Sequence, residues 1–204
     1  MTVSIDAGKL RDRLEVLQLR EEPGNTWSWF SSRKAKGRVE TTTMNNLFSK
    51  VGIGARGAEI LIRRQSLTLH NAILWGTQHL FLTAIQPEGR LHLRVQAALV
   101  QVCTCTAVRT ADAVGKAGRP VTEETMRVTF PGVLTERYIR FERENTHDES
   151  DVSYVLVTGK PIALQPGDLV TITDGQAPGV YHVTAGHKLD EWKNEYEIMQ
   201  RGDI

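Results

Sequence analysis

Six histidines, two cysteines and a few adjacent carboxylates are the residues from which this chain could build a reactive centre. The histidines are His70, His79, His92, His147, His182 and His187, and none stands in an H-E-x-x-H pattern. The nearest approach to a ligand cluster is His182, His187 and Asp190, a set that could in principle hold a metal ion and activate its water. The sequence puts His182 in a strand and the other two in the turn after it, where a solvated turn is the expectation. Glu123–Glu124 and Asp190–Glu191 are adjacent pairs whose side chains diverge in an extended chain. There is no G-x-S-x-G elbow and no P-loop. Gly52-Ile-Gly54-Ala-Arg-Gly57 has glycines at dinucleotide-like spacing, but no βαβ unit surrounds it. Cys103 and Cys105 are one residue apart, so a strand points both to one face. A disulfide at that spacing is strained and two thiols do not complete a zinc site, so small buried hydrophobes are expected. The reading is a non-enzyme with no catalytic residue, no metal and no cofactor.

Charge says more. Formal net charge is +1, so no global field draws the chain to nucleic acid or anionic lipid, and any such contact needs local clustering. Arg33, Lys34, Lys36 and Arg38 form a basic run beside Trp27 and Trp29, and Lys50, Arg56, Arg63 and Arg64 follow. Only Glu40 and Glu59 oppose them between 33 and 64. Such a stretch suits phosphate contact without base specificity, and equally a solvated face or a protein contact.

The elements that carry these residues read as strands. Leu91, Leu93, Val95, Ala97 and Leu99 alternate with Arg90, His92, Arg94 and Gln96, a half-buried strand. Parity changes at Val100 and Val102, which implies a bulge or a strand end. His79–Ile85, Ala58–Arg64, Leu10–Leu19 and Ala35–Thr42 complete five strands, with turns at Glu22-Pro-Gly-Asn25 and Gln86-Pro-Glu-Gly89. Residues 41–57 make a long glycine-bearing loop holding Lys50, Gly52, Gly54, Arg56 and Gly57, in which Met44–Val51 has the length of one or two helical turns. Residues 107–120, with small side chains, two Gly and a Pro, read as a linker. Beyond it lie strands at Met126–Phe130 (broken by Pro131-Gly132), Tyr138–Phe141, Val152–Val157, Leu169–Ile172, Val180–Ala185 and Trp192–Ile198, with an acidic loop at Glu142–Asp151. The expected architecture is all-β and mainly antiparallel: a first barrel or sandwich module at 1–106, the linker, and a second barrel-like module at 121–204. The two share a layout of strand, extended link (Leu67-Thr-Leu69; Ile162-Ala-Leu164), strand, Gly turn, strand, turn and long last strand. Duplication and convergence on one small-barrel plan both explain that.

The first module resembles the head-closure (head–tail joining, or stopper) proteins of long-tailed bacteriophages over residues 10 to about 105. The residues that carry the resemblance are Arg11, Arg13 and Leu14 in the opening strand, the turn before Trp27, and Ile62 and Arg63 in the strand after the loop. Trp75 before Gly76 and Cys103 near the last strand complete the pattern. Departures are the second module, where the family usually has one small domain, and Phe81, displaced from the family's aromatic position. The resemblance implies a ring of six or twelve copies in the virion neck, assembled in the host cytoplasm. It implies stacking on the portal or adaptor ring, docking of tail terminator or tail tube proteins, and non-specific contact between loop 41–57 and packaged DNA.

No apolar run reaches the ~20 residues needed to span a bilayer, and Met1-Thr-Val-Ser-Ile-Asp lacks a charged and apolar leader, so no membrane association and a cytoplasmic origin are expected. The alternative function is a nucleic-acid-binding SH3-like or OB-like barrel, suggested by Lys160-Pro-Ile-Ala-Leu-Gln-Pro-Gly-Asp-Leu-Val-Thr-Ile172.

Overall fold

Period-two alternation with short turns gives each strand one apolar face, and a sheet curled closed on itself buries those faces and leaves no edge. The computed structural model describes residues 10–42, 52–53, 56–114, 120–137 and 153–200, and no helix occurs among them. Two units separate, Met1–Arg20 with Trp29–Gln101, and Glu21–Ser28 with Val102–Ile204.

The first unit is built from β1 (Asp12–Glu22), β2 (Thr26–Thr42), β3 (Gly52–Ile53), β4 (Arg56–Arg63), β5 (Asn71–Trp75), β6 (Gln78–Glu88) and β7 (His92–Val100). Six of these close a barrel in the order β1-β5-β6-β7-β4-β2, with β2 returning to β1; β3 stands outside the ring. The interior is aliphatic: Leu14, Ile60, Ile62, Ile73, Leu80, Leu82, Val95 and Ala97 pack as one cluster, each all but inaccessible to solvent. Each such Leu or Ile contributes roughly 1.5–3 kcal/mol by leaving water. Leu91, counted in the alternating run, is instead exposed in the turn before β7. The parity change at 100–102 is a strand end, while the bulge lies on β6 at Thr83, where the β6–β7 register slips between Leu82 and Ala84.

In the second unit β8 (Val102–Val114), β9 (Pro120–Arg137), β10 (Ser153–Gly159), β11 (Leu169–Ile172), β12 (Gly179–His187) and β13 (Lys193–Gln200) close as β8-β11-β12-β13-β10-β9, with β9 returning to β8. The turn between β1 and β2 belongs to this unit: Thr26 pairs in parallel with Thr129, and the Thr129 N–H donates to the Asn25 carbonyl at 3.0 Å. Gly24 and Asn25 take positive φ there, as the Pro-Gly-Asn turn requires.

Two sequence expectations change. Residues 107–114, read as linker, continue β8 and pair with β9 from Val128 back to Pro120, so the division between units falls at Gln101–Val102. A backbone ladder needs no large side chains, so small residues hid it. Pro131-Gly132 does not break its strand. The β9–β10 ladder stops at Val133, so Pro131 lies beyond it and its missing N–H leaves no partner on that side unsatisfied. Tyr138–Phe141 and Glu142–Asp151 lie outside the described residues.

Ranked by position along the chain and omitting β3, both rings read first, fourth, fifth, sixth, third, second. The bulges agree as well. The β12–β13 register slips between Val183 and Ala185, at Thr184, as β6–β7 slips at Thr83.

Candidate functional site

Along β2 the side chains alternate. Lys34, Lys36, Arg38 and Glu40 are exposed, while Arg33, Ala35 and Val39 are half-buried on the other face with Gly37. Gly37 has no room for a side chain, since a Cβ would stand 2.6 Å from Leu14 Cδ1 and 2.9 Å from the Leu61 carbonyl oxygen. That close crossing brings β4 alongside with Ile62 opposite Gly37, so the chain leaving β4 runs past Lys36. The result is a shallow groove of about 390 Å³ lined by Leu10, Ala35, Lys36, Arg63, Arg64 and Gln65. The Arg64 N–H donates to the Leu91 carbonyl at 2.8 Å and fixes the path of that wall.

Three cations face this groove, and among the described residues no carboxylate forms an ion pair with any of them. Arg33 stands beside them: its Nε donates to Gln65 Oε1 at 2.7 Å and its Nη2 to the Ser66 carbonyl, both neutral acceptors that leave its charge uncompensated. Arg38 is different, being paired with Glu40 on the exposed face. Glu59, the other acid of the stretch, is held by Arg94 at 3.0 Å, which also reaches Glu88.

The eight-cation stretch is therefore not one surface. Arg63 and Arg64 line the groove with Lys36, which shares the exposed face of β2 with Lys34 and Arg38; Arg33 stands beside the groove on the other face, and Arg56 opens β4. The loop end of the β2–β4 pair, Thr42 opposite Gly57, is five residues from the Gly37–Ile62 pair, about 17 Å along the strands. Of the expected loop 41–57, Thr41–Thr42 end β2, Gly52 and Ile53 form β3, and Arg56 and Gly57 start β4. Lys50 and Gly54, and the whole of Met44–Val51, lie outside the described residues.

The other candidates resolve into local structure. His187 Nε2 lies 3.0 Å from Glu197 Oε1, and Asp190 Oδ1 accepts the N–H groups of Trp192 and Lys193 as a turn cap. No group of His, Cys, Asp and Glu able to hold a metal occurs among the described residues. Cys103 and Cys105 are free, buried and on one face, their sulfurs 3.7 Å apart. The hydrogen bond the two thiols share draws the Cys103 pKa down and, with burial, holds the Cys105 thiol well above its ordinary range. Burial holds the His79 imidazole down to about 4, beside Trp29 and Phe81.

Residue spacing gave no sign of the best-made ion pair. Arg109 Nε and Nη2 reach the two oxygens of Asp168 at 2.7 Å each, with Asp168 1% exposed. Fifty-nine residues separate them. Asp168 also accepts the Gln165 N–H at 2.7 Å, so the pair locks the turn that opens β11. Leu10, Ala35 and Gln65, the groove's uncharged lining, carried no motif either.

No protein-family model, no curated protein and no solved structure matches this chain. No helix among the described residues is long and apolar enough to cross a membrane. Chemically, the groove offers charge-assisted hydrogen-bond donors on an apolar floor, an arrangement for holding an anion.

Proposed function

We propose that this chain is a structural subunit of the head–tail connector of a long-tailed bacteriophage. In this reading it forms a ring between the portal or adaptor and the tail, closes the DNA channel, and gives the tail proteins a docking surface. The observation that carries it is the first barrel itself. β1, β2, β4, β5, β6 and β7 close into one antiparallel barrel, which supports the reading, and the residues between β2 and β4 are those to which the resemblance assigns the channel loop. A closed barrel leaves no free sheet edge, so ring contacts would be made by faces and loops.

Mass photometry of the purified chain, alone and with a portal or adaptor ring, tests this. A ring of six or twelve chains is expected in at least one condition, and a monomer in both overturns the reading. The groove also favours a second reading, a small-barrel nucleic-acid-binding protein that acts as a monomer. That reading requires salt-dependent binding of DNA by a chain that never assembles.

A further inference from the structure

The two barrels match residue by residue, not only in strand order. The registers equate Ile60 with Leu156, through their partners Val95 and Tyr196, and Gly37 with Gly132. Leu14 equates with Cys105, through Trp75 and Ile172. A Cβ on Gly37 would meet Leu14 and Ile60; a Cβ on Gly132 would meet Cys105 at 2.8 Å and Leu156 at 2.7 Å, the corresponding pair. The turn before the fourth strand is closed the same way in each. The Asn71 N–H donates to the Thr68 carbonyl while Asn71 Oδ1 accepts the Thr68 N–H, and Asp168 and Gln165 repeat both bonds. The Arg64-to-Leu91 bond has its counterpart in Lys160 N–H to the Trp192 carbonyl at 3.2 Å.

Against that shared frame the cations stand out. The positions of Arg33, Lys34, Lys36 and Arg38 are taken in the second barrel by Val128, Thr129, Pro131 and Val133, and those of Arg63 and Arg64 by Gly159 and Lys160. Ala35 becomes Phe130, which is fully buried. The one remaining cation is engaged, since Lys160 Nζ donates to the carbonyls of Lys188, at 2.9 Å, and Asp190. The barrel plan therefore does not need a basic groove, and the charges of the first copy are an addition to it.

We infer that the chain is a tandem pair of one barrel in which only the first copy carries a binding site for a phosphodiester backbone, the groove of Lys36, Arg63 and Arg64. The frames of the two barrels match and their charges do not. Lys34 and Lys36 stand on one face about 6.8 Å apart along the strand, a spacing that meets successive phosphates of a nucleic acid. No acidic or base-reading amide group other than Gln65 lines the groove, and Gln65 is turned to Arg33, so binding is blind to sequence. The inference deepens the connector reading, where packaged duplex DNA is the polyanion at hand.

The test is titration of the full chain with a short duplex DNA across a salt series. Three phosphate contacts give a log–log salt slope near −2.7, about −0.9 per contact. The triple variant K36Q/R63Q/R64Q should bind at least tenfold more weakly at low salt, with the slope falling towards zero and an unchanged melting temperature. K160Q should bind as the parent chain does. Unchanged binding by the triple variant, an equal loss in K160Q, or poly-glutamate bound as tightly as DNA overturns the assignment. Ring formation is read separately by mass: a monomer that binds DNA through the groove removes the connector reading and leaves this one standing, and a ring whose DNA affinity ignores the groove does the reverse.

Discussion

Gly37 and Gly132 hold the same station in two barrels, each beneath a neighbour that leaves no room for a methyl group. Leu14 Cδ1 lies 2.6 Å from the place a Cβ would take on Gly37, and Cys105 Sγ lies 2.8 Å from it on Gly132. Neither glycine has a positive φ, so space and not backbone conformation excludes a side chain. Gly37→Ala and Gly132→Ala are each expected to destabilise their barrel by about 1–3 kcal/mol, the usual cost of overpacking. Denaturant unfolding measures both. Cys105→Ala in the Gly132→Ala background should recover part of the loss, since it removes one of the two atoms in the way, Leu156 Cδ1 at 2.7 Å being the other. Additive losses in that double-mutant cycle would show that the methyl group finds room elsewhere.

Asp168 closes the turn before β11 as Asn71 closes the turn before β5, but it alone answers a cation. Asp168→Ala removes the acceptor of the Gln165 N–H and leaves Arg109 without its partner. A loss of about 3 kcal/mol is expected, the lower end for breaking a buried pair, because the Arg109 side chain is 27% exposed. Asp168→Asn keeps an oxygen for the Gln165 N–H, as Asn71 does for Thr68, so its loss should be clearly smaller. Equal losses in the two variants would place the whole effect in the charge pair. Thermal unfolding with CD detection decides between these outcomes.

Much of the architecture was legible because burial on one face writes itself into alternate residues. Leu169–Ile172 was read to the residue, and β13 nearly so, since Asn194, Tyr196 and Ile198 point inward in turn. The β8–β9 ribbon was not legible, because Ala111, Asp112, Glu123 and Glu124 lie exposed on it and carry no periodic signal. A barrel or sandwich was expected, but the pairings that close each ring were not legible, as they join strands distant in sequence such as β8 and β11. The basic residues were visible as a run. Their sorting into groove and outer face depends on the Gly37 crossing, which composition does not record. Arg109 and Asp168 belong to different strand-and-turn contexts, and nothing in their spacing joins them.

The thiol pair offers a check on the second barrel. Cys103 is 4% exposed and Cys105 is fully buried, with Cys103 also donating to the Gly132 carbonyl at 3.3 Å. Burial withholds both sulfurs from reagent, whatever the lowered pKa of Cys103 would otherwise permit. Labelling with a chromogenic disulfide should be slow in the folded chain and should yield two thiols per chain on unfolding. Fast reaction of one thiol in the native state would show that this end of the barrel opens readily.

His79 gives the chain a built-in acid sensitivity. Its imidazole is largely buried beside Trp29 and Phe81, and burial lowers its pKa from 6.5 to about 4. The unfolded chain takes up this proton near pH 6.5 and the folded chain only near pH 4, so between those values the unfolded state binds more protons. Stability from this site is thus fully present above pH 6.5 and is lost as pH falls through that window. At pH 5 the loss is about 2 kcal/mol, from 1.36 kcal/mol per unit of pKa difference. His79→Phe removes the titration. The stability gap between the variant and the parent chain, measured by urea unfolding, should move in favour of the variant by that amount between pH 7.5 and pH 5. A gap that stays constant across that range would show that His79 takes up its proton as readily in the folded barrel as in the unfolded chain.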